Sequence, residues 1–221
     1  MGMGVDTRNR MARRAAEEIT TGMAVNLGIG IPSLIPNHLM GNMEVMFHAE
    51  NGILGMGASP LKGMEDENLC NAGGFPVTVL PGASYCDSSM AFGMIRKGRI
   101  DLTVLGALQV SKEGDLANWI VPGKKVPGIG GAMELAQKAR KVIVLMNHTD
   151  KAGKPKLVDK CSLPLTAANC VDVLITDLAV FKIDNRSLRL TEIFAPHSVS
   201  DIVGRTGCVF DIASNIRVIE Y

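Results

Sequence analysis

Three glycine-rich segments hold the residue types and spacings that could do chemistry. In Glu50-Asn51-Gly52-Ile53-Leu54-Gly55-Met56-Gly57 a carboxylate is followed by three glycines within seven residues. Such a carboxylate can act as a nucleophile or a base, and the bare glycine backbone lets a ligand approach it closely. In Gly128-Ile129-Gly130-Gly131 glycines lead into a helix. Unpaired amides at a helix start suit a phosphate or a developing oxyanion, although an ordinary strand-to-helix loop reads the same way. In Gly28-Ile29-Gly30-Ile31-Pro32-Ser33 the spacing approaches the dinucleotide fingerprint, but Ser33 stands at the third glycine and Pro32 interrupts it. A tight strand-to-helix turn explains that segment equally well.

Other chemistries lack their residues. The chain contains no phosphate-loop lysine motif, no His-Glu-x-x-His and no Gly-x-Ser-x-Gly. Its five cysteines (70, 86, 161, 170 and 208) form no Cys-x-x-Cys pair, so reduced, buried thiols are expected, without a disulfide framework or a metal site. The four histidines (38, 48, 148 and 197) show no ligand spacing. A formal net charge of +1 gives no reason to expect nucleic acid as a partner. Arg8, Arg10, Arg13 and Arg14 fit the solvated face of a helix. Without an apolar run of about 18 residues or a signal-peptide core, the expectation is a soluble cytoplasmic protein with no membrane partner.

The elements that must position these segments follow from periodicity and punctuation. A helix capped by Asp6 carries Met11, Ala15 and Ile19 and ends at Thr21-Gly22. Strands are expected at 23–27, 44–49, 77–80, 101–105, 141–146, 171–176, 180–183 and 188–193. Helices are expected after a turn at 28–32 toward Leu39, from Asp87 to Arg96, over 132–139 and after Ser198. A polar turn at 111–115 predicts a hairpin carrying Trp119. Strands alternating with short helices predict one α/β domain over residues 1–221, an open, largely parallel sheet flanked by helices, made mixed by hairpins in its middle third. Ligands of such sheets sit beyond the carboxyl ends of the strands, where all three glycine segments fall.

Taken together, these segments resemble the B subunit of the class I 3-oxoacid coenzyme A transferases. The resemblance rests on Val25-Asn26-Leu27-Gly28-Ile29-Gly30-Ile31-Pro32, Glu50-Asn51-Gly52-Ile53-Leu54-Gly55-Met56-Gly57 and Leu80-Pro81-Gly82-Ala83-Ser84. It continues through Met94-Ile95-Arg96, Gly114-Asp115-Leu116-Ala117-Asn118-Trp119-Ile120-Val121-Pro122-Gly123-Lys124, Gly130-Gly131-Ala132-Met133 and Cys161-Ser162-Leu163-Pro164-Leu165-Thr166. The set is collinear with the family over roughly residues 7 to 215. Departures are Ala49 for the usual serine, Ile129 for methionine and Lys97 for glycine. Ala58-Ser59 is closer to the acetate/butyrate branch, and the acid pair stays open.

The resemblance implies the coenzyme A transferase fold, shared with ribose-phosphate isomerases. It also implies ping-pong transfer of coenzyme A between an acyl-CoA and a short-chain or 3-oxo carboxylic acid. Glu50 would be the covalent nucleophile and the Gly131 amide the oxyanion donor. Gly28, Gly30, Asn51, Gly52 and Gly130 would contact substrate or coenzyme A. Coenzyme A enters as a substrate, with no tightly bound cofactor and no metal. The partner implied is a separate α subunit, in an α₂β₂ or related complex. Competing readings are a dinucleotide-dependent oxidoreductase, a non-catalytic subunit on the same fold, and, by fold analogy alone, a sugar-phosphate isomerase.

Overall fold

The computed structural model describes residues 3–41, 43–123 and 128–221; Lys124, which closes one of the segments above, lies outside them. Helix α1 (Val5–Ala16) is capped by Gly4, and Asp6 sits in its first turn instead of at the cap. A carboxylate there still faces the positive end of the helix dipole. Strand β1 (Ala24–Leu27) runs into a 3-10 helix, Ile31–His38; Pro32 suits its first turn, and Pro36 inside it removes a backbone donor an α-helix would need. Next come β2 (Met46–Ala49), β3 (Ile53–Met56) and β4 (Val79–Tyr85), then α2 (Ser88–Arg96), where Asp87 caps by accepting from the Met90 N–H at 2.8 Å.

The remaining elements are β5 (Leu102–Gly106), β6 (Gln109–Ser111), β7 (Leu116–Ala117), α3 (Ala132–Lys138), β8 (Val142–Met146), β9 (Leu157–Val158), β10 (Val173–Thr176), β11 (Ala179–Asp184) and β12 (Ser187–Phe194). Helix α4 (Val199–Arg205) opens with a capping box between Ser198 and Asp201, and β13 (Asp211–Ile219) closes the chain's sheet.

Ten strands pair in the order β13-β12-β11-β10-β8-β5-β1-β2-β3-β4. The run from β10 to β2 is parallel, and the antiparallel pairings lie toward the two ends. The sheet is thus mixed, but not by the middle-third hairpin. That hairpin, β6–β7, joins β9 in a separate three-stranded sheet. Strand β4 runs through Pro81-Gly82, past residue 80, where sequence predicted the strand to end. It is an edge strand, so a missing donor on its open side costs no ladder bond.

Alternation splits the core between the two faces of the sheet. Val25, Leu102, Val104 and Ile143 pack toward Met11, Ala15 and Ile19, on and just beyond α1. Leu105, Val142 and Val144 pack toward Ile95, Leu135 and Ile202 of α2, α3 and α4. Asn26, between Val25 and Leu27, therefore points to the face covered by α2 and α3.

Candidate active site

Strand order reverses beside β1: β2 lies on one side of it and β5 on the other, both parallel to it. The crevice outside the carboxyl ends at such a switch point is where open α/β sheets bind ligands. A cavity of about 540 Å³ lies there. Its walls come from Gly28 and Ile29 after β1, Glu50 after β2, Gly106 and Ala107 at the end of β5, and the backbone from Gly128 to Ala132 leading into α3.

Glu50 is fixed by a hairpin. Ala49 pairs with Ile53 across antiparallel β2 and β3, so Glu50-Asn51-Gly52 is a three-residue turn, closed by the Gly52 N–H donating to Ala49 O at 2.9 Å. Gly52 takes φ +113°, and a side chain on it would collide with the Cys86 carbonyl. Only glycine meets both constraints, which explains the glycine two residues after the carboxylate.

One buried amide orients that carboxylate. Asn26 Nδ2 donates to Glu50 Oε2 at 2.9 Å and also lies 3.1 Å from His48 O and 3.2 Å from His48 Nδ1. Asn26, His48 and Thr103 are strand neighbours across β1, β2 and β5, and all three are buried. His48 Nε2 faces the Ala91 carbonyl of α2 at 3.2 Å. Burial lowers the His48 pKa below the usual histidine value, against the raising effects of the Ala91 carbonyl and the Glu50 charge. A neutral ring with its proton on Nε2 satisfies Ala91 and leaves Nδ1 as an acceptor for Asn26.

Across the cavity, a methyl group placed on Gly131 would stand 3.5 Å from Glu50 Cγ and 3.3 Å from Phe92 Cζ. The gap between the Gly131 backbone and the Glu50 side chain is therefore one that a single methyl group would fill, and Gly131 caps α3. A bidentate ion pair between Arg96 and Glu134, at 2.8 and 2.7 Å, ties α2 to α3.

Of the residues singled out from sequence, Glu50, Gly28, Gly130 and Gly131 meet at this cavity. Gly30 lines a neighbouring cavity with Arg8 and Ser33. Asn51 turns away, its amide donating to Cys70 O at 2.8 Å, and Gly52 serves the turn. Sequence reasoning passed over two lining residues, Asn26 and Asn118. Asn118 is held by donating to Gly106 O at 3.1 Å and accepting from Thr166 Oγ1 at 2.6 Å. A polar residue inside an apolar strand, as Asn26 is, was the available signal.

Lys156 was also passed over. It donates to the Ala107 carbonyl at 2.9 Å, and burial lowers its pKa. The cysteines are all free; Cys70 is exposed and the other four are half-buried, so the expectation of buried thiols is corrected. Burial pushes the Cys161 and Cys170 thiols up to about 11 and about 12. Among the described residues no cluster of His, Cys, Asp and Glu could hold a metal ion, and no helix is long and apolar enough to cross a membrane.

Comparison with known proteins adds an independent line. Residues 8–205 match the family model for coenzyme A transferase. The chain is 61% identical over 206 residues to a probable coenzyme A transferase subunit beta of Bacillus subtilis, covering 93% of this chain and 95% of that one. It is 50% identical over 222 residues to the human mitochondrial succinyl-CoA:3-ketoacid coenzyme A transferase 2, covering 99% of this chain but 43% of that longer protein. In fold it matches an acyl-CoA transferase of Escherichia coli O157:H7, solved as a thioester complex with CoA. The TM-score is 0.75 at 20% identity, over 96% of this chain and 43% of that one.

Proposed function

Because the chain belongs to the coenzyme A transferase family, and matches its B-type subunits, we propose that Glu50 carries coenzyme A as a glutamyl thioester during ping-pong transfer between two carboxylic acids. The observation that carries this reading is the Glu50 carboxylate, aimed by Asn26 at 2.9 Å and close beside the Gly131 backbone, at the switch point of the sheet.

In the first step a Glu50 oxygen attacks the thioester carbonyl of an acyl-CoA. The carbon–sulfur bond breaks, giving a mixed anhydride and the CoA thiolate. The thiolate attacks the Glu50 carbonyl carbon, the first acid leaves as its carboxylate, and a Glu50 thioester remains. A second carboxylate reverses the sequence and departs as its CoA ester. No proton is consumed overall, and the thioester's free energy passes to the product.

Each addition places negative charge on an oxygen beside Glu50. The family resemblance supports the Gly131 N–H as the donor that stabilises it, and removing one such donor costs about 10²–10³ in rate. The E. coli neighbour's thioester complex is consistent with such an intermediate on this fold. An activated glutamyl ester hydrolyses in water, so the open cavity calls for closure. The subunit naming of the bacterial relatives supports an α subunit as the cover, in an α₂β₂ or related assembly. The names of several relatives support succinyl-CoA and a 3-oxo acid as the substrate class.

The test is a mass measurement. The chain, co-purified with its α subunit, is mixed with acetoacetyl-CoA and quenched, and the peptide containing Glu50 is weighed. The expected gain is one coenzyme A less water, absent in Glu50→Ala. An assembled complex that turns over acyl-CoA without this adduct would overturn the proposal.

A further inference from the structure

The amide that aims Glu50 faces more acceptors than it has hydrogens. A primary amide carries two N–H bonds. Yet Glu50 Oε2, His48 O and His48 Nδ1 all lie within 3.2 Å of Asn26 Nδ2. On its other side, Asn26 Oδ1 faces the Thr103 hydroxyl at 3.5 Å, a distance at the limit of hydrogen bonding. The side chain's orientation is thus set chiefly by what surrounds its nitrogen. The shortest of the three contacts goes to the carboxylate, as charge assistance would have it.

Resting on the glutamyl-thioester reading, we propose that His48 is a positioning residue that keeps the Asn26 amide aimed while Glu50 alternates between carboxylate and thioester. The free carboxylate takes one amide hydrogen and His48 O the other. Once Glu50 is esterified it has lost its charge and accepts only weakly. That hydrogen then turns to His48 Nδ1, 3.2 Å away and already carrying a lone pair, instead of being stranded in a buried site. When the carboxylate reforms, it takes the hydrogen back. The amide need only tilt between the two acceptors and never flips, so the nucleophile is regenerated in its attacking position.

The same geometry makes a protonated His48 incompatible with an aimed Asn26. Nδ1–H would face the amide hydrogens, and relief by flipping the amide would turn Oδ1 toward the Glu50 carboxylate. The groups facing the ring are the Asn26 amide from β1, the Ala91 carbonyl from α2, and Glu50 as the charged group from its own hairpin. Transfer should therefore fall on the acid side, below pH 6.5, as His48 gains its proton.

The experiment uses the assembled complex, acetoacetyl-CoA as donor, and acetate and succinate as acceptors. His48→Phe keeps a ring and removes the acceptor; His48→Gln restores one acceptor and one donor. For His48→Phe, kcat should fall at least tenfold with KM for acetoacetyl-CoA within twofold, while the Glu50 adduct still forms, more slowly. His48→Gln should recover to within about threefold of wild type and lose the fall in rate below pH 6.5. His48→Phe with wild-type kcat and an unchanged pH profile would overturn the proposal. If His48→Phe fails to fold, the pH profile of His48→Gln decides: retention of the wild-type acid limb overturns it equally. Absence of the adduct in wild-type complex would fail the thioester reading itself, a separate result.

Discussion

Two glutamates of this chain are held in opposite ways. Glu192, on β12, is buried and gripped by Arg14 of α1, whose Nε and Nη2 each donate to one carboxylate oxygen at 2.6 Å. Arg14 Nη1 lies 2.8 Å from Glu18, Glu18 accepts from Lys141 at 2.6 Å, and Arg217 of β13 pairs with Glu17 at 2.6 Å. Burial alone would lower the Arg14 pKa, but bonding to Glu192 and Glu18 raises it above the usual guanidinium value. Glu50, by contrast, is held by a neutral amide and opens onto a cavity. A cation bound to both oxygens neutralises a carboxylate and blocks its lone pairs; an amide on one oxygen aims it and leaves the other free. The first arrangement ties α1 and the residues just after it to β12, β13 and the start of β8; the second suits a nucleophile.

The comparison breaks most sharply if the two glutamates are removed in turn. Glu50→Gln should lose about 10⁴-fold or more in transfer rate, on the scale of losing a catalytic nucleophile or its base. Its urea midpoint should stay at the wild-type value. Glu192→Gln should do the reverse. Leaving Arg14 buried without its main partner costs about 3–5 kcal/mol of stability, read from urea unfolding, while the per-molecule kcat of the folded fraction stays near wild type. Equal effects on both readouts in either variant would erase the distinction.

A smaller effect tests how Glu50 is aimed. Asn26→Ala leaves the carboxylate and removes its guide, and a misplacement of about 1 Å costs on the order of 10²-fold. The loss should appear in kcat with KM nearly unchanged. A raised KM with normal kcat would make Asn26 a substrate contact.

What sequence could and could not reveal follows the same division. Glu50 was legible because it stands at the end of an apolar run, before glycines, in a family pattern. The Gly128–Gly131 loop was legible because glycines preceded a helical period, and Asp87 and Ser198 because capping chemistry is local. Strand β3 was hidden by Gly52 and Gly55, and β4, expected at 77–80, was cut short at Pro81; these read as loop residues until edge pairing and hairpin geometry explain them. Strand β13 was missed because an edge strand exposed along most of its length lacks the apolar alternation of a half-buried one. Asn26 and His48 carry no local signal of their partnership. They meet only because β1 and β2 pair in a register that sequence does not encode locally.

Acid pH gives the smallest effect and tests whether the ion network or a buried histidine fails first. The pKa values of Glu17 and Glu18 are lowered: burial raises them, but their arginine and lysine partners more than offset it. Stability from those pairs is present above the ordinary glutamate value and is lost only as pH falls through the lowered one. His148 runs the other way. It is fully buried between Thr176 and Thr206, at 3.0 and 2.9 Å, and burial pushes its pKa down to about 4. Between the usual histidine value and 4 the unfolded chain binds a proton that the folded chain refuses, so stability must fall as pH falls through that window. At pH 5.5, about one unit below the ordinary histidine value, the loss from His148 is on the order of 1 kcal/mol. His48, shifted in the same direction, adds to it. Urea midpoints at pH 7.5 and 5.5 should therefore differ in wild type, and the difference should shrink in His148→Gln. An unchanged difference in that variant would move the acid sensitivity to His48. A network bound by cations should outlast the histidine, because its groups are already charged, whereas His148 must take up a new charge in a buried site.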